Sequence, residues 1–183
     1  MIEETLTVIT SNQGKYEEYR EKLGGFYEEV EMENIRYPEI QADRLEEVVE
    51  FAIEELSEHS PLIIDDSGLF VEALNDFPGV YSSYVMKTLG CGGIISLMEE
   101  IEERKARFEC VIGYLGKSKE MFKGVSKGKI TRKMRGDGGF GYDPIFEPDE
   151  SKRTYAEMSP KEKNRISHRG RAMKELLDFV KSK

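Results

Sequence analysis

Asp65 and Asp66 end the apolar run Leu62-Ile63-Ile64 and are followed at once by Ser67-Gly68. Two neighbouring carboxylates repel unless a cation or a proton relieves them, so an adjacent pair suggests metal binding or proton transfer. The apolar run after Pro61 reads as a buried strand. An open α/β sheet places ligand chemistry at the carboxyl ends of its strands. Gly68 permits a sharp turn or a close backbone approach. The competing expectation from these four residues alone is an Asp-Asp-Ser-Gly turn that closes the strand.

Three other segments carry residue types suited to an anionic ligand. Thr10-Ser11-Asn12-Gln13-Gly14-Lys15 joins a strand to a helix, where free N–H groups, hydroxyls and a lysine make an anion site. It lacks the Walker spacing, and Ser11 or Asn12 also suits a helix N-cap. Gly138-Gly139-Phe140-Gly141-Tyr142-Asp143-Pro144 combines aromatic faces that stack on bases with glycines that permit close approach. Taken alone, that loop is expected to bury Phe140 and Tyr142. Lys163, His168 and Arg169 lie near the start of the last helix, where the helix dipole adds to their charge. A lone histidine such as His168 more often has a structural role. Glu39 follows a proline in a loop; together with Asp66 it could supply oxygen ligands to Mg²⁺, which keeps waters and substrate phosphates as its other partners.

The elements that must position these residues follow from periodicity. Leu6–Thr10 reads as a strand, a helix follows to about Leu23, and Gly24-Gly25 stops it. Phe26–Met32 reads as a second strand. Leu45, Val48, Val49, Ala52, Ile53 and Leu56 form a helical stripe within about Asp43–Glu58. Gly92-Gly93 is expected to separate two short helices, roughly Tyr81–Leu89 and Ile94–Glu103. Arg107–Leu115 and Glu120–Ile130 read as a hairpin. Ser159-Pro160-Lys161-Glu162 carries a capping box with proline at the first helical position. Ser167 opens the last helix, with Ala172, Met173, Leu176, Leu177 and Val180 on its core face. Strands that alternate with helices early and pair as a hairpin late imply an α/β domain with a mixed sheet.

The bulk composition narrows the function class. A length of 183 residues, 38% apolar and 34% charged, fits one globular domain spanning residues 1–183. A formal net charge of −9 argues against a duplex nucleic-acid binder. Basic residues nevertheless concentrate between Ser151 and Arg171, so a small anionic substrate remains compatible. No apolar run is long enough for a membrane span, and the acidic N-terminus does not read as a signal peptide. Cys91 and Cys110 lack metal-type spacing, which suggests a reducing, cytoplasmic setting.

Six segments, in order, resemble the inosine triphosphate pyrophosphatase family: Thr10–Lys15, Pro38–Gln41, Asp65–Leu69, Phe77–Ser82, Gly139–Phe146 and Lys163–Gly170. The resemblance implies Mg²⁺-dependent hydrolysis of non-standard purine nucleoside triphosphates (ITP, dITP, XTP) to the monophosphate and pyrophosphate. It implies an elongated central mixed β-sheet with flanking helices forming two lobes around a nucleotide-binding cleft, and a homodimer. It assigns Thr10, Ser11, Asn12, Gln13, Gly14, Lys15 and Ser67 to phosphates. Glu39 and Asp66 become Mg²⁺ ligands, with Asp66 also the proton acceptor. Phe140, Gly141, Tyr142, Asp143, Lys163, His168 and Arg169 surround the base and triphosphate. A metal-bound carboxylate is a weak base, so Asp65 or a hydroxide on the metal is the alternative proton acceptor. By strand alternation Asp65 should face away from Asp66, as a supporting acid. One departure from the family pattern is that Ala52–Leu56 offers acids where many relatives carry a phosphate-facing lysine. The alternatives are a pyrophosphatase for other nucleotides, such as modified pyrimidine triphosphates, and a non-catalytic nucleotide-binding regulator.

Overall fold

The computed structural model describes residues 2–38 and 40–182. In chain order the elements are β1 (Ile2–Ile9), α1 (Gln13–Leu23), β2 (Tyr27–Glu33), α2 (Leu45–Glu55), β3 (Leu62–Val71), α3 (Ser82–Thr88), α4 (Gly90–Leu97), β4 (Lys105–Leu115), β5 (Lys119–Ile130), β6 (Phe146–Pro148), α5 (Pro160–Ile166) and α6 (His168–Lys181). The six strands form one sheet in the order β2-β1-β3-β4-β5-β6. β1 runs parallel to β2 and β3, with Ile9 opposite Glu33 and Ile64, whereas β5 and β6 are antiparallel. The mixed α/β architecture expected from the alternation of patterns is therefore present. No helix among the described residues is long and apolar enough to cross a membrane.

The chain divides into two compact units: residues 1–66, 111–123 and 172–183 form the first, and residues 67–110 and 124–171 the second. In the first unit, α2 buries Leu45, Val49, Ala52 and Ile53, one helical face. Its acids recur every fourth residue on another face. Glu46 receives Lys123 at 2.8 Å, and Glu50 and Glu54 share Lys119 at 2.8 and 3.1 Å. The acids in Ala52–Leu56 thus include one that ties the helix to β5. The face of α6 built on Ala172, Met173, Leu176 and Val180 is buried, as its periodicity requires.

The second unit has its own core, which includes Leu69, Val85, Ile94, Phe108, Tyr142, Phe146 and Tyr155. Phe108 packs edge-on to Phe146 at 4.8 Å between ring centroids. Arg104 is buried beneath α4. Its guanidinium donates to the carbonyls of Met98, Ile101, Ile130 and Thr131, two of which follow the end of α4.

Two expectations are corrected. The break between the short helices falls at Leu89-Gly90, where Gly90 has φ +64°, and Gly92-Gly93 lies inside α4. α4 also stops at Leu97 rather than Glu103, because Arg104 takes carbonyls that a longer helix would use internally. The second correction concerns the acid pair. β3 does not end at Asp66 but continues to Val71, so the pair lies in mid-strand and no turn follows it. The continuation is held by Ser82, whose hydroxyl accepts from Leu69 N at 2.8 Å and donates to Gly79 O at 2.7 Å. Gly68 is required by that approach, since a Cβ there would collide with the Gly79 carbonyl oxygen.

Candidate active site

In the first unit, Asn12 caps α1. Its Oδ1 accepts from Lys15 N at 3.1 Å, and its own N–H donates to Thr10 Oγ1 at 3.1 Å. Of the two cap residues left open by the sequence, the structure uses Asn12. A helix leaves its first N–H groups without intrahelical acceptors. Among the described residues nothing accepts from the N–H groups of Gln13 and Gly14, which leaves them available to an anion. The Gln13 side chain is turned along the helix to Glu17 at 3.2 Å.

Lys15 Nζ lies 3.0 Å from Asp65 Oδ2, and the Asp65 side chain is 1% exposed. The first acid of the pair is therefore a buried counter-ion to the lysine of the anion loop. Asp66, the next residue of β3, is half-buried.

Thr10, Ser11 and Asp65 also line a cavity of about 610 Å³ with Ile9, Ile64 and the segment from Asn34 to Tyr37. These residues follow the carboxyl ends of the parallel strands β1 and β2 and the last β1-paired residue of β3. That is where a parallel sheet collects ligand groups.

In the second unit, the loop from Gly136 to Asp143 is organised around one carboxylate. Asp143 Oδ2 accepts from Phe140 N at 2.8 Å and from Lys163 Nζ at 2.5 Å. Gly139, at φ +70°, is required there, because a Cβ would collide with that same oxygen. Phe140 stands 56% exposed, with Lys163 Nζ 4.4 Å and Arg169 Cζ 5.8 Å from its ring centroid. Tyr142 is buried, and its hydroxyl donates to Ser82 O at 2.9 Å. Burial pushes the Tyr142 phenol and the Cys91 thiol above their ordinary ranges. The Cys91 thiol donates to Gly141 O at 3.3 Å. The expectation that this loop buries both aromatics thus holds for Tyr142 and fails for Phe140, whose backbone is held outward by Asp143.

Arg169 donates to Ser67 Oγ at 3.2 Å. His168 is buried, with its ring stacked on Phe108 at 4.6 Å and 11°. Lys163 is carried on α5, which begins with the anticipated capping box. Ser159 Oγ accepts from Glu162 N at 3.3 Å, and Glu162 accepts from Ser159 N at 2.9 Å.

The donor set suits a hard cation. Asp66 offers carboxylate oxygen. Among the described residues no group of three His, Cys, Asp or Glu is gathered into a cage. A hard cation such as Mg²⁺ is commonly held by one or two carboxylates, with substrate phosphates and waters completing its shell. Glu39, the other ligand expected from the resemblance, lies outside the described residues.

Residues 6–179 match the sequence model of the Ham1 family. The chain belongs to the Ham1 family. It is similar to the dITP/XTP pyrophosphatase of Thermococcus kodakarensis, with 51% identity over 96% of this chain and 97% of the relative. The Pyrococcus horikoshii dITP/XTP pyrophosphatase is 50% identical over 94% and 95%. Among solved structures, the Ham1 protein of Staphylococcus aureus superimposes with a TM-score of 0.89 at 30% identity, covering 98% of this chain and 99% of that one. A nucleoside-triphosphatase / dITP/XTP pyrophosphatase from Mycobacterium abscessus gives a TM-score of 0.74 at 33% identity, covering 95% and 99%. The resemblance read from six ordered segments is borne out by this Ham1 membership.

Sequence reasoning missed Ser82 and Phe108 as supports of the site. Ser82 lies in Phe77–Ser82, a segment that marked the resemblance to the inosine triphosphate pyrophosphatase family without suggesting a role for any of its residues. Phe108 sits within an apolar strand and carries no signal that it would stack on a histidine.

Proposed function

We infer that this protein is a nucleoside triphosphate pyrophosphatase that hydrolyses non-standard purine nucleotides such as dITP, ITP and XTP to the monophosphate and pyrophosphate. The observation that carries this reading is the near-full-length identity of 51% to a dITP/XTP pyrophosphatase. The chain's own groups suit the substrate: open helix N–H groups and hydroxyls for phosphates, and an exposed aromatic ring flanked by cations for a base.

In this reading the water oxygen forms the new bond to the α-phosphorus. The bond from that phosphorus to the α–β bridging oxygen breaks, and its electron pair leaves with pyrophosphate. Asp66 takes the water proton, while Asp65, already committed to Lys15, keeps the lysine oriented. Thr10–Gly14 and Lys15 bind the triphosphate through N–H, hydroxyl and ammonium groups. Asp66 and Glu39 are the residues that would hold Mg²⁺, which when bound neutralises phosphate charge. Phe140 offers its face to the base. Arg169 and the backbone of Phe140–Asp143 favour O6 as an acceptor and oppose the amino group of adenine. The homodimer and the cytoplasmic setting, where nucleotide triphosphates are pooled, belong to the same reading.

The test is pyrophosphate release, with and without Mg²⁺, across dITP, ITP, XTP, dGTP, ATP and modified pyrimidine triphosphates. Turnover confined to the first three supports the reading. Release from modified pyrimidines alone would instead make it a pyrophosphatase of another specificity. Binding without turnover would make it a nucleotide-responsive regulator.

A further inference from the structure

We propose that Arg36 binds the terminal phosphates of the substrate and the pyrophosphate that leaves, an assignment that rests on the pyrophosphatase reading above. Arg36 lines the cavity that Thr10, Ser11 and Asp65 share. It reaches that cavity because it follows β2, which runs parallel to β1 with Ile9 opposite Glu33. The chain leaving β2 therefore emerges at the same end of the sheet as the anion loop leaving β1.

The charges in this cavity favour an anion. Asp65 contributes a carboxylate, but its side chain is 1% exposed and is neutralised by Lys15 at 3.0 Å. Asp65 and Lys15 therefore cancel. Arg36 is exposed, and among the described residues no ion pair or hydrogen bond engages its guanidinium. The described side chains thus leave one uncompensated positive charge, beside the positive end of the eleven-residue helix α1. Ser11 and Thr10 add hydroxyls, and Gln13 and Gly14 add open N–H groups.

A guanidinium presents a planar fork of donors that matches two phosphate oxygens, and it stays charged at every working pH. Lys15 is already paired, so its charge is partly spent before substrate arrives. Among the described residues Arg36 has no such partner to surrender. A pyrophosphate carrying three or more negative charges gains most from a cation of this kind, and the monophosphate product gains least.

The experiment compares the wild-type chain with Arg36→Gln and Arg36→Lys at matched ionic strength. Calorimetric titration with inorganic pyrophosphate, and separately with the purine monophosphate, reads binding without turnover. Arg36→Gln is expected to weaken pyrophosphate binding by roughly tenfold or more, about 1.4 kcal/mol, and to leave monophosphate binding within about twofold. Arg36→Lys should fall between, because charge is kept and the fork is lost. Pyrophosphate affinity unchanged in Arg36→Gln overturns the assignment, as does equal weakening for both products. Turnover of dITP by the wild type is measured alongside. If that fails while pyrophosphate binding still depends on Arg36, the pyrophosphatase reading is lost and the anion site stands. Turnover with no dependence on Arg36 gives the converse result.

Discussion

Lys163 Nζ lies 2.5 Å from Asp143 Oδ2, the oxygen that also accepts the backbone N–H of Phe140 at 2.8 Å. One buried carboxylate therefore fixes both the cation beneath the exposed ring and the backbone that carries the ring. The pair is largely desolvated, with side-chain exposures of 12% and 3%. Removing one partner strands the other charge, which for a buried pair costs about 3–5 kcal/mol. Lys163→Met is expected to lose stability of that order in urea unfolding. It should also lose selectivity among bases, because the cation 4.4 Å from the Phe140 ring centroid is gone. A loss well below about 1 kcal/mol, the scale of an exposed pair, would contradict the desolvated geometry.

The split between Asp65 and Asp66 predicts two different phenotypes. Asp66→Asn removes the proposed proton acceptor and should lower turnover by about two orders of magnitude or more. Asp65→Asn leaves Lys15 without its buried counter-ion, so the expected loss is in stability and KM, with turnover less affected. Steady-state kinetics on both variants decides this. Similar kcat losses in the two would show that the acids act as one unit.

Ser82 predicts a positioning effect. Its hydroxyl serves Leu69 N and Gly79 O, and its carbonyl serves the Tyr142 hydroxyl. Ser82→Ala leaves a buried N–H without an acceptor, at a cost of about 1–3 kcal/mol. It should also loosen the strand just beyond Asp66. Hydrogen exchange at Leu69 is expected to accelerate relative to the wild type, and protection equal to the wild type would remove Ser82 from this role.

Arg169 reaches Ser67 at 3.2 Å and lies 5.8 Å from the Phe140 ring centroid, so it sits by both β3 and the exposed ring proposed to face the base. Arg169→Ala is expected to lower the ratio of kcat/KM for dITP over dGTP by roughly tenfold or more, the scale of one lost polar discriminator. A ratio unchanged from the wild type would remove its part in discrimination.

Glu162 gives the pH dependence a definite sign. Arg153 and then the Ser159 cap hold its carboxyl at about 2, below an ordinary value of 4.5. A lowered carboxyl stabilises the fold above its unfolded-state value, and that stability is lost as pH falls through the folded one. Stability should therefore decline from about pH 4.5 toward pH 2 as the cap of α5 protonates. Glu162→Gln should flatten this part of the curve. Unfolding titrations at pH 6 and pH 3 measure the difference.

Much of this was legible from local patterns. The helical stripe of α2 and the capping box at Ser159 depend on residues a few positions apart, and β4 and β5 are neighbouring strands joined by a short connection, so the sequence displays all three directly. Family membership was equally legible, because six short segments in order carry it. The acid pair was not read as well. Its mid-strand position depends on Ser82 and Gly79, which meet β3 through a packing contact that no local pattern announces. The Gly92-Gly93 break failed for a similar reason: a helix tolerates glycines where packing supports it, and Gly90 alone adopts the left-handed conformation that interrupts the chain.

The sequence by itself determined the residue types: paired acids, an anion loop, an aromatic glycine loop and a basic cluster, in an order that named the family. Only the tertiary structure decided their allegiances. It gave Asp65 to Lys15, Asp143 to Lys163 and Ser82 to Leu69, and among the described residues it gave the Arg36 guanidinium no ion pair, in a cavity that Thr10 and Ser11 also line. A charge is functional or structural according to what lies within a few ångströms of it, and that neighbourhood is assembled from residues far apart in the chain.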